Sequence, residues 1–333
     1  MSEFKKIHGK EVEATSSENG EHDFLGRLFW YTVGETLVPI DELTDFVIDN
    51  DITKELLPSE PKSKNAWRRA TKELEKEYED EIDEEDDNKI SYLTRREDKD
   101  TRHFVKETYY PNKDKPEYEV LIEWIYDNEN DYVSWKPMVD DDTRFREIAG
   151  IHSEMSKRKE IYENSFTEIC IRRNIKKLLD VRGKISLKSS GGVYFIPEEH
   201  HELLKDIKKV LAKINEYGKS SFRSELWQVP VVSNSEQRNM IEHGIRKETV
   251  SFANQKMKEI KDILKNNKEI TMKRYQTLIK ELKKVEKRKE DYSEIIGRNL
   301  ETCDEQVNIM KQQIRKLADN VKGNSQSLDN FTE

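Results

Sequence analysis

The stretch Lys184-Ile185-Ser186-Leu187-Lys188-Ser189-Ser190-Gly191-Gly192-Val193-Tyr194-Phe195-Ile196-Pro197 is a small β unit set inside a basic, strongly helical second half of the chain. Two short apolar runs flank a Ser-Ser-Gly-Gly turn, and glycine supplies the positive φ that a tight hairpin loop needs. The same turn presents backbone N–H groups in a way that suits a phosphate. Lys184 and Lys188 would add charge, with Ser190, Gly191 and Gly192 lining the loop, but the Gly-Lys-Ser/Thr of a P-loop is missing. Strand alternation sends Val193 and Phe195 to one face and Tyr194 and Ile196 to the other, so helices on one side only would leave Tyr194 available to a partner.

Before the hairpin, a helical stripe of Ile148, Ile151, Met155, Tyr162, Phe166 and Ile169 predicts one long helix from about Arg144 to Val181, closed by Gly183. After it, Pro197 opens a helix with Leu203, Leu204, Ile207, Val210, Leu211 and Ile214, and 226–232 reads as a third strand held at a sheet edge by Pro230. The run from Ser235 to Val321 is nearly all helical, with a turn at Asn266-Asn267. Its late part, from Tyr275 through Leu278, Leu282, Val285, Tyr292, Ile296, Leu300, Cys303, Val307, Met310, Ile314 and Leu317 to Val321, has the spacing of a coiled-coil seam, with a kink or hinge at Gly297.

The front of the chain has a different grammar. Residues 1–22 are polar and read as a disordered arm, as does the tail 323–333. Pro39 opens a short amphipathic helix with Leu43, Phe46 and Val47. A second helix from Ser63 to about Tyr78 carries Ala66, Trp67, Ala70 and Leu74 on one side. The acidic stretch 77–89 reads as a loop, and the period changes to two over 103–110, 118–126 and 132–135, an antiparallel meander. Helices followed by a hairpin are the element order of a winged helix. The expected fold is therefore α+β and predominantly α-helical. It comprises a winged-helix-like unit over 23–140, a helix plus hairpin over 144–234 with a small antiparallel sheet, and long coiled-coil helices over 235–322.

Charge divides the chain as sharply as periodicity does. Residues 1–150 hold 22 Lys and Arg against 40 Asp and Glu, whereas 151–333 hold 37 against 28. The second half alone has the sign to attract an anionic partner. Hydrophobic residues are only 34% and charged residues 38% of the whole, which favours long helices with solvated faces over one large core. Cys170 and Cys303 are single and far apart, which fits a reducing compartment. No apolar run approaches the roughly 20 residues of a membrane span, and the N-terminus has no signal-peptide core, so a cytoplasmic protein without membrane contact is expected.

Catalytic signatures are missing. His200 and His201 adjoin Glu198 and Glu199, but neighbouring side chains on a helix diverge and do not share one ion. Asp140-Asp141-Asp142 and the acids of 84–87 lack the glycine and terminal glutamate of a calcium loop. Neither a metal nor a cofactor is expected. For nucleic acid, Lys64, Arg68, Arg69 and Lys72 lie on the helix that a winged-helix unit would use as its reader. Lys273-Arg274, Lys283-Lys284 and Lys287-Arg288-Lys289 form a larger electrostatic footprint.

The segment Ser186 to Pro197, with Val38-Pro39, Leu57-Pro58 and Ala66-Trp67-Arg68-Arg69-Ala70-Thr71, resembles an uncharacterised family of bacterial, archaeal and phage proteins that share a Gly-Gly-Val-Tyr-Phe-hydrophobic-Pro hairpin with helical flanks. The resemblance spans roughly residues 24–300 and implies an accessory protein of a phage or mobile element. The leading expectation is a non-enzymatic binding or assembly protein that self-associates through the seam and meets a host or phage protein. Nucleic-acid binding in replication, regulation or defence interference is the alternative, and sequestration of a nucleotide signal a further one.

Overall fold

The computed structural model describes residues 24–77, 81–83, 88–139, 144–188, 192–219, 221–266, 269–318 and 321. The expected arm and tail, the triple acid at 140–142 and residues Ser190 and Gly191 of the hairpin lie outside them. The fold is α+β, with eight α-helices and small antiparallel sheets among the described residues. Two compact units divide the chain: one holds 1–32, 175–211 and 224–333, the other 33–174 and 212–223.

In the first unit a four-stranded sheet runs in the order β11 (Glu225–Val232), β1 (Phe24–Thr32), β10 (Tyr194–Pro197), β9 (Ile185–Ser186). The hairpin is present, with Tyr194 opposite Ser186 and Phe195 opposite Ile185. The third expected strand is there too, and Pro230 sits on an edge strand as its missing N–H requires. The addition is β1, which the sequence reading placed in the front unit. It pairs with β10 on one side and β11 on the other, a non-local partnership that strand periodicity does not reveal.

The helix expected after Pro197 is α5 (His201–Ile214), and one face of this sheet packs on the last three helices, α6 (Ser235–Lys265), α7 (Met272–Ile296) and α8 (Glu301–Lys316). Phe195, Ile185, Val231 and Leu25 form one core with Ile241, Ile245, Tyr292, Ile296, Leu300 and Cys303. Beyond the sheet the same helices close on each other through Ala253, Ile260, Tyr275, Leu278, Leu282, Val307, Met310, Ile314, Leu317 and Val321. The seam residues thus find their partners within the chain. The seam is also not one helix: Gly297 adopts φ 62° and closes α7, with its own N–H donating to the Glu294 carbonyl at 3.1 Å and that of Arg298 to the Ser293 carbonyl at 3.1 Å. The expected kink is a left-handed C-terminal cap.

The second unit opens with β2 (Leu37–Pro39), α1 (Ile40–Asp49) and α2 (Ser63–Glu77). It continues with a five-stranded meander, β3 (Glu81–Asp83), β4 (Asn88–Arg96), β5 (Thr101–Tyr109), β6 (Glu117–Asp127) and β7 (Tyr132–Pro137), in sequential order. Five strands stand where the winged-helix reading expects a hairpin, and two of them begin inside the stretch read as an acidic loop. Pairing of Glu81 to Asp83 with Asn88 to Ile90 absorbs part of that run. The long helix expected from Arg144 is broken: α3 (Phe145–Glu163) stops at Asn164, β8 (Ser165–Thr167) pairs with β2, and α4 (Glu168–Val181) starts anew. Ile169, expected on the buried stripe, is exposed. Core formation explains α2 and α3: Ala66, Trp67, Ala70 and Leu74 pack with Ile148, Ile151, Met155 and Tyr162 against Phe104, Ile122, Trp124 and Tyr126 of the sheet.

Candidate functional site

The apolar side of α2 is buried, and its cations reach acids and carbonyls of the same unit. Lys64 pairs with Asp100, donates to Asn128 Oδ1 at 2.7 Å and lies over the Tyr126 ring; this bond holds the Asp100 carboxyl below its usual range. Arg69 donates to both Glu168 oxygens at 3.2 and 3.3 Å and stacks on Tyr162. Tyr162 in turn donates to Glu73, and burial, then that bond, push its phenol up to about 12. Lys72 is exposed and reaches Glu75 at 3.5 Å. Arg68 donates to the Lys99 carbonyl at 3.0 Å and has no carboxylate partner among the described residues. Of the four candidate reading residues, three are engaged with acids of their own unit. Lys64 and Arg69 are held most firmly.

Sequence reasoning missed the neighbours of Arg68. Arg102, on β5, donates to the Arg68 carbonyl at 3.1 Å and to Thr71 Oγ1 at 2.8 Å. Arg96, on β4, is its cross-strand partner. The signal available in the sequence was the period-two alternation of Tyr92, Thr94 and Arg96, hidden by the charges around it.

At the hairpin, Gly192 has φ +67°, as a tight turn requires. Its two candidate cations differ in exposure. Lys184 is 6% exposed, pairs with Asp180 at 2.7 Å and lies over the Tyr194 ring at 4.6 Å. The backbone N–H of Ser186 donates to Glu248 Oε1 at 2.6 Å. Only Lys188 is exposed. Tyr194, expected free, is half-buried against Phe29 and Tyr31, with ring centroids 5.5 and 6.2 Å away. The exposed aromatics of this sheet are instead Trp30 and Trp227. They are directly paired across β1 and β11, stacked at 6.1 Å, and 38% and 41% exposed.

The second basic footprint resolves into two sets. Arg274 pairs with Glu259, Arg288 with Glu248 at 2.8 Å, and Lys289 with Asp304. Lys273, Lys280, Lys283, Lys284 and Lys287 are exposed and make no ion pair among the described residues. At 100° per residue, Lys273, Lys280, Lys284 and Lys287 fall within about 60° of one another, in a line about 20 Å long. The reason is the seam itself: Tyr275, Leu278 and Leu282 face the core, and these lysines occupy the opposite side.

No group of three or more His, Cys, Asp or Glu is placed to hold a metal ion among the described residues, and none of their helices is long and apolar enough to cross a membrane. No curated protein and no solved structure matches the chain. A family model does match, over residues 24–323, and the chain belongs to that family, DUF6744, a family of unknown function.

Proposed function

We propose that this chain is a non-enzymatic nucleic-acid-binding protein that tracks the phosphate backbone with the lysine face of α7. The observation that carries this reading is the line of Lys273, Lys280, Lys284 and Lys287, with Lys283 beside it, without ion pairs among the described residues on a helix whose other cations are paired. Such a face neutralises phosphates without reading bases, so binding should be strongly salt-dependent and tolerant of sequence. Gel shift of a duplex and of a single strand of equal length, at rising salt, tests it.

A second reading, protein assembly, is supported by the Trp30–Trp227 pair, because large aromatics left exposed side by side are typical anchors of protein contacts. Light scattering of Trp30→Ser with Trp227→Ser beside the wild type tests this one: a lower mass in the variant supports it.

A further inference from the structure

Three arginines meet where α2 approaches the β4–β5 turn. Arg96 and Arg102 are direct cross-strand partners, a position in which like charges destabilise a sheet. Arg68 joins them from α2 through the bond that its carbonyl accepts from Arg102. Each guanidinium is held by neutral acceptors: Arg102 by the Arg68 carbonyl and Thr71 Oγ1, Arg68 by the Lys99 carbonyl at 3.0 Å, and Arg96 by the Asp98 carbonyl at 2.8 Å. Arg102 also lies over the Trp67 ring, at 5.5 Å.

Asp98, Asp100 and Glu75 are close by, and each has other work. Asp98 accepts from the backbone N–H groups of Asp100 and Thr101 at 2.6 and 2.7 Å, Asp100 holds Lys64, and Glu75 accepts from the Thr94 N–H at 2.8 Å and pairs with Lys72. Burial first, then the Arg68 charge, and further Arg96, hold Arg102 below its ordinary range, with Glu75 opposing. Among the described residues, Nη2 of Arg102, Nη1 of Arg68 and both terminal nitrogens of Arg96 have no acceptor.

We propose that Arg68, Arg96 and Arg102 form a binding site for a phosphate group, carried either by a nucleic-acid backbone or by a free nucleotide. Guanidinium forks match phosphate oxygens in pairs, and an anion between them offsets the cross-strand repulsion of Arg96 and Arg102. None of these residues belongs to α7, so the site stands or falls separately from the lysine face.

Calorimetric titration of the full chain with pyrophosphate, and separately with an oligothymidylate lacking terminal phosphates, tests the site. Arg96→Gln is the main variant because Arg96 is exposed and its loss leaves the core intact. Loss of a charge-assisted bond predicts binding weakened about tenfold or more. If the oligothymidylate weakens with it, the phosphate belongs to a backbone; if pyrophosphate alone weakens, it belongs to a free nucleotide. Either result supports the site. Wild-type chain that binds neither probe, or Arg96→Gln that binds both as the wild type does, overturns it. Arg102→Gln repeats the test where its melting temperature matches the wild type, and Arg96→Gln decides where it does not. Pyrophosphate binding retained by Lys280→Glu/Lys284→Glu/Lys287→Glu separates this site from the α7 face.

Discussion

The Trp124 indole N–H donates to Nδ1 of His152 at 3.2 Å, tying β6 to α3, and the imidazole stacks on Trp135 at 4.9 Å. The bond needs an unprotonated Nδ1, and burial holds the His152 pKa below its usual value. The folded state therefore binds this proton less readily than the unfolded one. Its contribution is complete above the unfolded value near 6.5 and is lost as pH falls from there through the lower folded value. Burial lowers His200 too, with the same sign. The melting temperature of the wild type should fall between pH 7.5 and 5.5 by more than that of His152→Gln (about one unit either side of 6.5). Equal falls would remove His152 from the account.

The hairpin turn is a backbone device. Gly192 sits at φ +67°, where a side chain costs roughly 1–2 kcal/mol. Gly192→Ala should lower the unfolding free energy by about that amount, read as a lower urea midpoint with the m-value unchanged. Tyr194→Ala should also destabilise, by roughly 2 kcal/mol, less than for a fully buried ring, because Tyr194 packs on Phe29 and Tyr31. A Tyr194→Ala chain as stable as the wild type would return that ring to the role of a free contact.

Leu300 and Val307 lie in the cores that α8 shares with α6 and α7. Leu300→Ala should cost about 3 kcal/mol in denaturant unfolding and leave the light-scattering mass of the folded chain unchanged. A change of mass at unchanged stability would show the stripe serving between chains.

Arg69→Glu should lower the melting temperature, since it sets a carboxylate beside Glu168 in place of the cation that holds Glu168 and stacks on Tyr162, whose hydroxyl donates to Glu73. Arg69→Lys should recover only part of the loss, because lysine lacks the planar fork. An Arg69→Glu chain that melts as the wild type does would show that the network contributes nothing.

Local signals were legible wherever one segment carried them alone. Pro39, Gly183 and Asn266 mark helix ends, the stripe of Ala66, Trp67, Ala70 and Leu74 marks the buried side of α2, and the glycines mark the hairpin. What failed to show was partnership at a distance. Phe24 to Thr32 reads as apolar and ordered, but its place between β10 and β11 depends on residues about two hundred positions away. The stripe through Tyr162 and Phe166 keeps helical spacing across a break that exists because Leu37–Pro39 takes Ser165–Thr167 as a strand partner. For the same reason the candidate reading helix was only half legible. Arg68 was visible, but Arg96 and Arg102 reach it only through a turn of charged residues that conceals the strands on either side.

The lysines of α7 that make no ion pair among the described residues are where nucleic-acid binding should fail first. Fluorescence anisotropy of a labelled duplex, measured for the wild type and for Lys280→Glu/Lys284→Glu/Lys287→Glu over a range of salt, addresses them directly. Each phosphate contact contributes about −0.9 to the slope of log affinity against log salt. The wild type should bind with a steep negative slope, and the variant, if it binds measurably, should be shallower by about 2–3 and weaker at every salt concentration. Equal slopes and affinities for the two proteins, or a wild type that does not bind at low salt, would contradict the account.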